Sequence, residues 1–569
     1  MCKGALGEVR GLKGAFPGAG ALIRNPPKRM NWRFNMKMVK SLLLGSAAGL
    51  VAVAGAQAAD LPVKAKAVEY VKVCSLYGAG FWYVPGTDTC LKIGSYIRVQ
   101  NEWNANNGGT PIGSGDTAGR QDRIDTSNWG FRARQSVSVD LRTQTEYGTL
   151  RSYLEIGAQW TTTGPAEAGT GAVAGDLVFV DRGFIQFAGF TVGRIRSYFD
   201  VNSMAPYSYS NNRVNGDTGA NGIFGMAYTG QFGNGVTASL SFEDGGEANG
   251  GRGRSTVNLN TFSNVTAFTG AAGGATNGGS VGPFTLGAQT TDNKGLQVPD
   301  VVGALRIDQA WGYAQVAAAI HDASGGNYSS ATGSLTGSNA FGHPTDKFGF
   351  ALIGGFTLND VFGNKGDQIA LQACYSEGAA GYCTRATTPW LAYSSGNSVG
   401  LGWLAEGTFI NGGSVELTTV WGINGAFQHF WNPKWRTSLW GGYVEVDYSS
   451  TAKSNICPAG VGAAGFPVGF SASAGTVTNN GAFGATGVVP GGVSNCNPNY
   501  SWTQLGSRTQ WNPHPDLDIG LEVLWTHLNT AFKGTGLLTA SGGRPNAIYN
   551  IEDQDIVSVF FRIQRNFLP

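Results

Sequence analysis

Leu91-Lys92-Ile93-Gly94-Ser95-Tyr96-Ile97-Arg98-Val99-Gln100-Asn101-Glu102-Trp103 has two faces suited to two different solvents. Leu91, Ile93, Ser95, Ile97 and Val99 fall on one side of an extended chain, and Lys92, Gly94, Tyr96, Arg98, Gln100 and Glu102 on the other. A period of two is that of a β-strand, and about ten such positions cross a bilayer with lipid on one face and water on the other. The pattern recurs. In 131–142, Phe131, Ala133, Val137, Val139 and Leu141, interrupted by Gln135, oppose Arg132, Arg134, Ser136, Ser138, Asp140 and Arg142. Leu150, Leu154, Ile156 and Trp160 oppose Arg151, Tyr153, Glu155 and Gln159, and Leu517, Ile519, Leu521, Val523 and Trp525 alternate with Asp518, Gly520, Glu522 and Thr526.

Extending this reading along the chain predicts sixteen strands, near 91–103, 130–142, 149–160, 178–188, 190–199, 222–231, 236–243, 300–308, 312–322, 347–358, 367–375, 418–431, 435–447, 501–511, 517–527 and 555–566. Their connections alternate between short turns, such as Ala188-Gly189 and Asn432-Pro433-Lys434, and long segments, such as 104–129, 244–299, 448–500 and 528–554. Short periplasmic turns and long extracellular loops are the signature of an all-β transmembrane barrel, and an even strand count lets its ends meet. A barrel of this size encloses water instead of a packed core. A soluble sandwich rarely exceeds about 250 residues as one domain, and its turns have no cause to follow a two-sided length rule.

Composition agrees. Charged residues make up only 13% of the chain and hydrophobic ones 42%, with 88 Gly, 30 Phe, 19 Tyr and 15 Trp, a mixture for aromatic strands joined by glycine-rich loops. The formal charge of +2 gives no reason to expect nucleic acid as a partner. Trp103, Trp160, Trp431, Trp435, Trp511 and Trp525 lie near strand ends, where an aromatic girdle meets the bilayer interface.

The one long apolar stretch reads as an export signal. Lys37 and Lys40 precede the apolar run 41–55 and the cleavage motif Ala56-Gln57-Ala58. This organises the chain as an N-terminal extension (1–35) ahead of a start at Met36 or Met38, a signal peptide (36–58), an N-terminal periplasmic segment (59–90) and the barrel (91–569). A long n-region is the alternative for 1–35. Without Cys2, six cysteines fall into three sequence-local pairs: Cys74 with Cys90, Cys374 with Cys383, and Cys457 with Cys496. An oxidising compartment permits these disulfides, although six cysteines allow 15 connectivities. Zinc spacing is absent, and the histidines (His321, His343, His429, His514, His527) are scattered, so no metal and no cofactor are expected. Neither an H-E-x-x-H nor a phosphate-loop motif occurs, and an enzyme is not expected.

The mature start Ala59-Asp60-Leu61-Pro62-Val63-Lys64-Ala65, the stretch 68–81 ending Leu76-Tyr77-Gly78-Ala79-Gly80-Phe81, and Pro85-Gly86-Thr87-Asp88-Thr89-Cys90 resemble the sixteen-stranded trimeric porins of alphaproteobacterial outer membranes. Gln186-Phe187-Ala188-Gly189-Phe190-Thr191-Val192-Gly193-Arg194, followed by Ser197-Tyr198-Phe199-Asp200, is a second match. The resemblance implies a multi-pass protein of the bacterial outer membrane, a homotrimer in contact with lipid and lipopolysaccharide, passing ions and small hydrophilic solutes. It also implies a third loop, 200–221, folded into the lumen, whose carboxylates Asp200 and Asp217 face an arginine wall. Arg98, Arg132, Arg134 and Arg151 supply that wall, with Arg182, Arg194 and Arg196 as further inward candidates. Opposed charges in a narrow channel set a transverse field that biases selectivity. Each arginine has a second reading, bracing a neighbouring carboxylate such as Asp140 or Glu155. In the fifth strand, turning Arg194 and Arg196 inward also turns Phe190 and Val192 inward; that orientation is expected because an arginine at the lipid midplane costs about 2–4 kcal/mol. A substrate-specific channel is the runner-up, although 59–90 is too short for a large plug, and a barrel-anchored surface binding protein is third.

Overall fold

A computed structural model describes residues 74–567 except 107–109, 112–128, 162–176, 211–213, 215, 219–221, 247–252, 260–292, 329–340, 385–389, 396–397, 457–474, 478–486, 490–491, 496, 532 and 539–546. The expected extension, the signal peptide and residues 59–73 lie outside the described residues.

All sixteen expected strands are present: β1 (Thr89–Trp103), β2 (Trp129–Thr145), β3 (Gly148–Thr161), β4 (Leu177–Phe187), β5 (Phe190–Ile195), β6 (Ile223–Gln231), β7 (Val236–Glu243), β8 (Asp300–Gln309), β9 (Gly312–Asp322), β10 (Phe348–Asn359), β11 (Gln368–Glu377), β12 (Glu416–Asn432), β13 (Trp435–Tyr448), β14 (Tyr500–His514), β15 (Leu517–Asn529) and β16 (Gln554–Phe567). Consecutive strands pair antiparallel, and β1 pairs with β16 from Ser95↔Phe567 to Trp103↔Val559, so the sheet closes on itself. Closure satisfies every strand edge with a neighbour, which lipid demands because it offers no hydrogen bonds. Side chains on the outer face would be misplaced in water: Ile97, Leu305, Val316 and Leu505 are each at least 50% exposed. Trp103, Trp160, Trp431, Trp435 and Trp511 are also exposed at strand ends, and the Trp435 and Trp511 rings stack at 5.8 Å.

Two local features depart from strict alternation. In β4 a bulge opposite Glu155 and Ile156 leaves Asp181 unpaired in the strand register. The extra residue lets Val180 and Ile185 both face outward while Asp181 is buried inside, since a bulge shifts parity by one. The second is the end of β5. It stops at Ile195, short of the expected residue 199, because Ser197 Oγ (2.6 Å) and the Tyr198 amide (2.9 Å) donate to Glu243 and draw the chain off the wall. The β4–β5 turn places Ala188 and Gly189 at φ 49° and 84°, as a two-residue hairpin of this twist requires.

Disulfides join Cys74 to Cys90 and Cys374 to Cys383, as expected for these two pairs. The third expected pair, Cys457 with Cys496, lies outside the described residues. The first bridge ties a short 3₁₀ turn, Cys74–Tyr77, to β1; Trp82–Tyr83 then pairs with the same strand. Among the described residues, the interior is filled from β8 round to β16, with Phe199, Val201 and Tyr382 buried against Val302, Ala319 and Ala351. Val420, Val444, Val446, Trp502, Leu524, Leu528 and Phe560, facing in from β12 to β16, are fully buried against loop residues. Inward side chains of β1 to β4 below Gln100 are mostly half-buried, with Asp140 and Asp181 buried beside their arginines, so this wall meets water.

Candidate functional site: a loop across the lumen and an arginine wall

The loop after β5, the third long one, crosses the lumen and docks on the far side. Its first anchor is Asn202. The Asn202 backbone amide donates to Gln372 Oε1 (2.8 Å), its Nδ2 donates to the Phe356 and Leu371 carbonyls (3.1 and 3.0 Å), and its Oδ1 accepts from Tyr313 Oη (2.8 Å) and Thr357 Oγ1 (3.0 Å). The second anchor lies on β14 to β16. Glu522 accepts from Ser208 Oγ (2.7 Å), the Tyr209 amide and Trp440 Nε1 (2.8 Å). Arg508 donates to the Ala205 and Pro206 carbonyls, and Arg562 to the Tyr209 carbonyl (3.0 Å).

Tyr209 sits between the two guanidiniums, 4.8 Å from Arg508 and 4.0 Å from Arg562, and its hydroxyl donates to Asp518 (3.0 Å). Burial, with Asp518 adding to it, raises the Tyr209 phenol well above its ordinary pKa; burial pushes Tyr207 up to about 12. Both therefore stay neutral, able to donate, across the physiological range. Gly520 makes the room: a Cβ there would collide with the Tyr209 hydroxyl.

Opposite this loop stands the wall of β1 to β4. Arg134 pairs with Asp181 at 2.5 Å and Arg98 Nε donates to Gln564 (2.9 Å). Arg142 and Arg151 each grip Asp140 with two nitrogens, at 2.9–3.1 Å. Arg182 lies in register with Glu155, and Arg196 reaches Asp200 at 3.7 Å from the base of the loop. Bracing of carboxylates is thus what several of these arginines do, and the pairs remain on the open side of the lumen.

A family model described as "Porin subfamily" matches residues 60–560. The chain belongs to the porin family. It is a multi-pass β-barrel of the bacterial outer membrane. Its curated relatives include Porin Omp2b of Brucella suis, 33% identical over 283 residues, covering 48% of this chain and 64% of that protein. Porin Omp2a of Brucella melitensis is 37% identical over 221 residues, 37% of this chain and 57% of that one. The chain therefore spans less than two thirds of the length of the curated relatives it matches. Among solved structures, the outer membrane channel DcaP of Acinetobacter baumannii aligns over 84% of this chain and 97% of that one, at 11% identity and a TM-score of 0.48. An anion-selective porin from Comamonas acidovorans aligns over 84% and 99%, at 9% identity and a TM-score of 0.35.

Against the sequence expectations, this porin brings Arg98, Arg134, Arg151, Arg182 and Arg196 to the passage or its edge. Arg132 points inward but is buried, donating to Gln159 at 2.7 Å. Arg194 is a correction. Phe190 (56% exposed) and Val192 (50%) face outward, Thr191 and Ile195 are buried inside, and Arg194 lies beside the exposed Phe224 ring at 5.4 Å, on the outer face. Arg196 still reaches the lumen because β5 ends before it. The two loop carboxylates expected at the constriction are both buried, the Asp200 side chain at 0% exposure. Asp200 Oδ2 accepts from the Thr218 amide (2.9 Å) and hydroxyl (2.5 Å), fastening the two ends of the loop together, while Arg196 reaches the same oxygen at 3.7 Å. Sequence reasoning missed Asn202, Arg508, Arg562 and Glu522. Inward parity marked Glu522, but its partner Ser208 is 314 residues away, beyond any local pattern.

Proposed function

We propose that this porin is a passive channel for ions and small hydrophilic solutes, working as a homotrimer with its apolar belt against lipid and lipopolysaccharide. The observation that carries the reading is the third loop: it spans the lumen, docks on β14 to β16 and leaves a water-accessible passage along the arginine-bearing wall of β1 to β4. Because both carboxylates of that loop are buried, the charges that meet a solute are those of the wall, and they lean basic. A mild preference for anions follows.

The outer face of β1 to β5 supports association. Ser95, Asn101, Gln135 and Arg194 interrupt it, whereas the outer face of β8 to β11 shows Leu305, Val316, Leu352 and Leu371. An arginine facing lipid deep in the bilayer costs about 2–4 kcal/mol, and a neighbouring protomer removes that cost. Planar-bilayer recording of the folded chain tests both parts. Steady openings in groups of three, with a reversal potential displaced toward anions, are expected. No conductance from folded protein overturns the channel, and single unit steps overturn the trimer.

A further inference from the structure

The lumen face of β1 to β4 is built in rows, and the rows alternate in chemistry. Reading across the register from the periplasmic end, Arg142 stands beside Arg151; above them come Tyr153 and Phe184, in one row with Lys92 and Asp140, then Glu155 and Arg182, then Tyr96 with Phe179, then Arg98 beside Arg134. Inward rows are two residues apart, about 7 Å along the strands. The aromatic rings are half-buried, so part of each faces water. No lipid reaches this side of the sheet, and apolar area left in water forfeits about 25 cal/mol per Å².

The guanidiniums lie against these rings. Arg151 is 5.2 Å from Tyr153 and 5.3 Å from Phe184, rings that stack on each other at 5.2 Å and 22°. Arg134 is 4.0 Å from Phe179, and Arg98 is 4.8 Å from Tyr96. Asp140 and Asp181 are the buried partners of Arg142, Arg151 and Arg134, which leaves the wall with more basic than acidic groups.

Building on the channel reading, we infer that this wall is a track for small aromatic carboxylates. The ring of such a solute stacks on an aromatic row while its carboxylate meets the adjoining guanidinium row. The spacing fits: in benzoate, the ring centre stands roughly 6–7 Å from a nitrogen hydrogen-bonded to its carboxylate. Repetition of the rows lets the solute pass from one stack to the next, held at each but trapped at none.

The test uses the full folded chain in planar bilayers carrying chloride current, with benzoate or acetate added at neutral pH. Benzoate is expected to reduce the chloride current at a concentration at least about tenfold lower than acetate does, from stacking on one aromatic row. In the Tyr153→Leu/Phe184→Leu variant, the benzoate-to-acetate ratio falls toward one. A ratio near one in the parent protein, with chloride current intact, overturns the track and leaves the channel reading standing. Absence of chloride current overturns the channel reading instead; calorimetric titration of benzoate and of acetate into the same detergent-solubilised protein then decides the track, and equal affinities refute it.

Discussion

Replacing Glu522 with alanine should undock the third loop from the far wall. The Glu522 carboxylate is buried and receives three donors, two of them from the loop: Ser208 Oγ at 2.7 Å and the Tyr209 amide. A hydrogen bond to a charged acceptor contributes about 1.5–3 kcal/mol. The loop keeps the Arg562 bond to the Tyr209 carbonyl and the Tyr209 bond to Asp518, so the low end of the sum applies, about 3 kcal/mol. That shifts the docked-to-undocked ratio by roughly a hundredfold. Single-channel recording should show more frequent current flicker and a larger mean conductance in Glu522→Ala, with Glu522→Gln intermediate because its amide oxygen still accepts. Heat-modifiable migration on gels confirms that each barrel is folded. A folded Glu522→Ala channel with the conductance and noise of the parent would refute the docking mechanism.

Gly520→Ala should act in the same direction more weakly, since the added methyl crowds the Tyr209 hydroxyl and Gln510 Cγ beside Asp518 and leaves the Glu522 bonds in place; unaltered flicker would argue against the Tyr209–Asp518 contact. Arg98→Gln is expected to lower the anion preference measured as a reversal potential, whereas Arg194→Gln leaves it unmoved, because one side chain faces water and the other the outer surface. Asp200→Asn loosens the join to Thr218 and should increase proteolysis at the base of the loop; a selectivity change without added cleavage would instead return Asp200 to the passage. The turn before β11 should weaken in acid. Burial works to raise the Asp367 pKa, but bonds from the Phe430 amide, His429 and Asn364 outweigh it and hold the carboxylate below its ordinary value. A depressed folded pKa stabilises the turn at pH above the unfolded value of about 3.9, and that stability is lost as pH falls through the folded one. Hydrogen exchange at Phe430, corrected for intrinsic rate, should accelerate below about pH 4 in the parent and show no such step in Asp367→Asn.

Strand five shows where reading by alternation stops. Its pattern allows either parity, and only the cost of an arginine in a bilayer chooses between Phe190, Val192 and Arg194 together and Thr191 with Ile195 as the lipid-facing set. The structure reverses that choice, because Thr191 and Ile195 fit against the inner loop and β5 ends before Arg196. In the proposed trimer a neighbouring protomer would replace lipid on this outer face, which alternation within one strand does not reveal. The β4 bulge is similar: one extra residue at Asp181 reconciles two inward charges with an outward Val180 and Ile185, a compromise set by the partner strand.

The amino-acid sequence by itself determined the barrel, its strand number, its turn-and-loop sidedness and the arginine-bearing face of β1 to β4. These follow from a period of two and the free energy of placing each side chain in lipid or water, both local properties. Which carboxylates reach the passage was decided only by tertiary structure. Asp200 turns into its own loop to meet Thr218, and Glu522 is covered by Tyr209 from more than 300 residues away, because buried charge is placed by whichever distant donors can satisfy it.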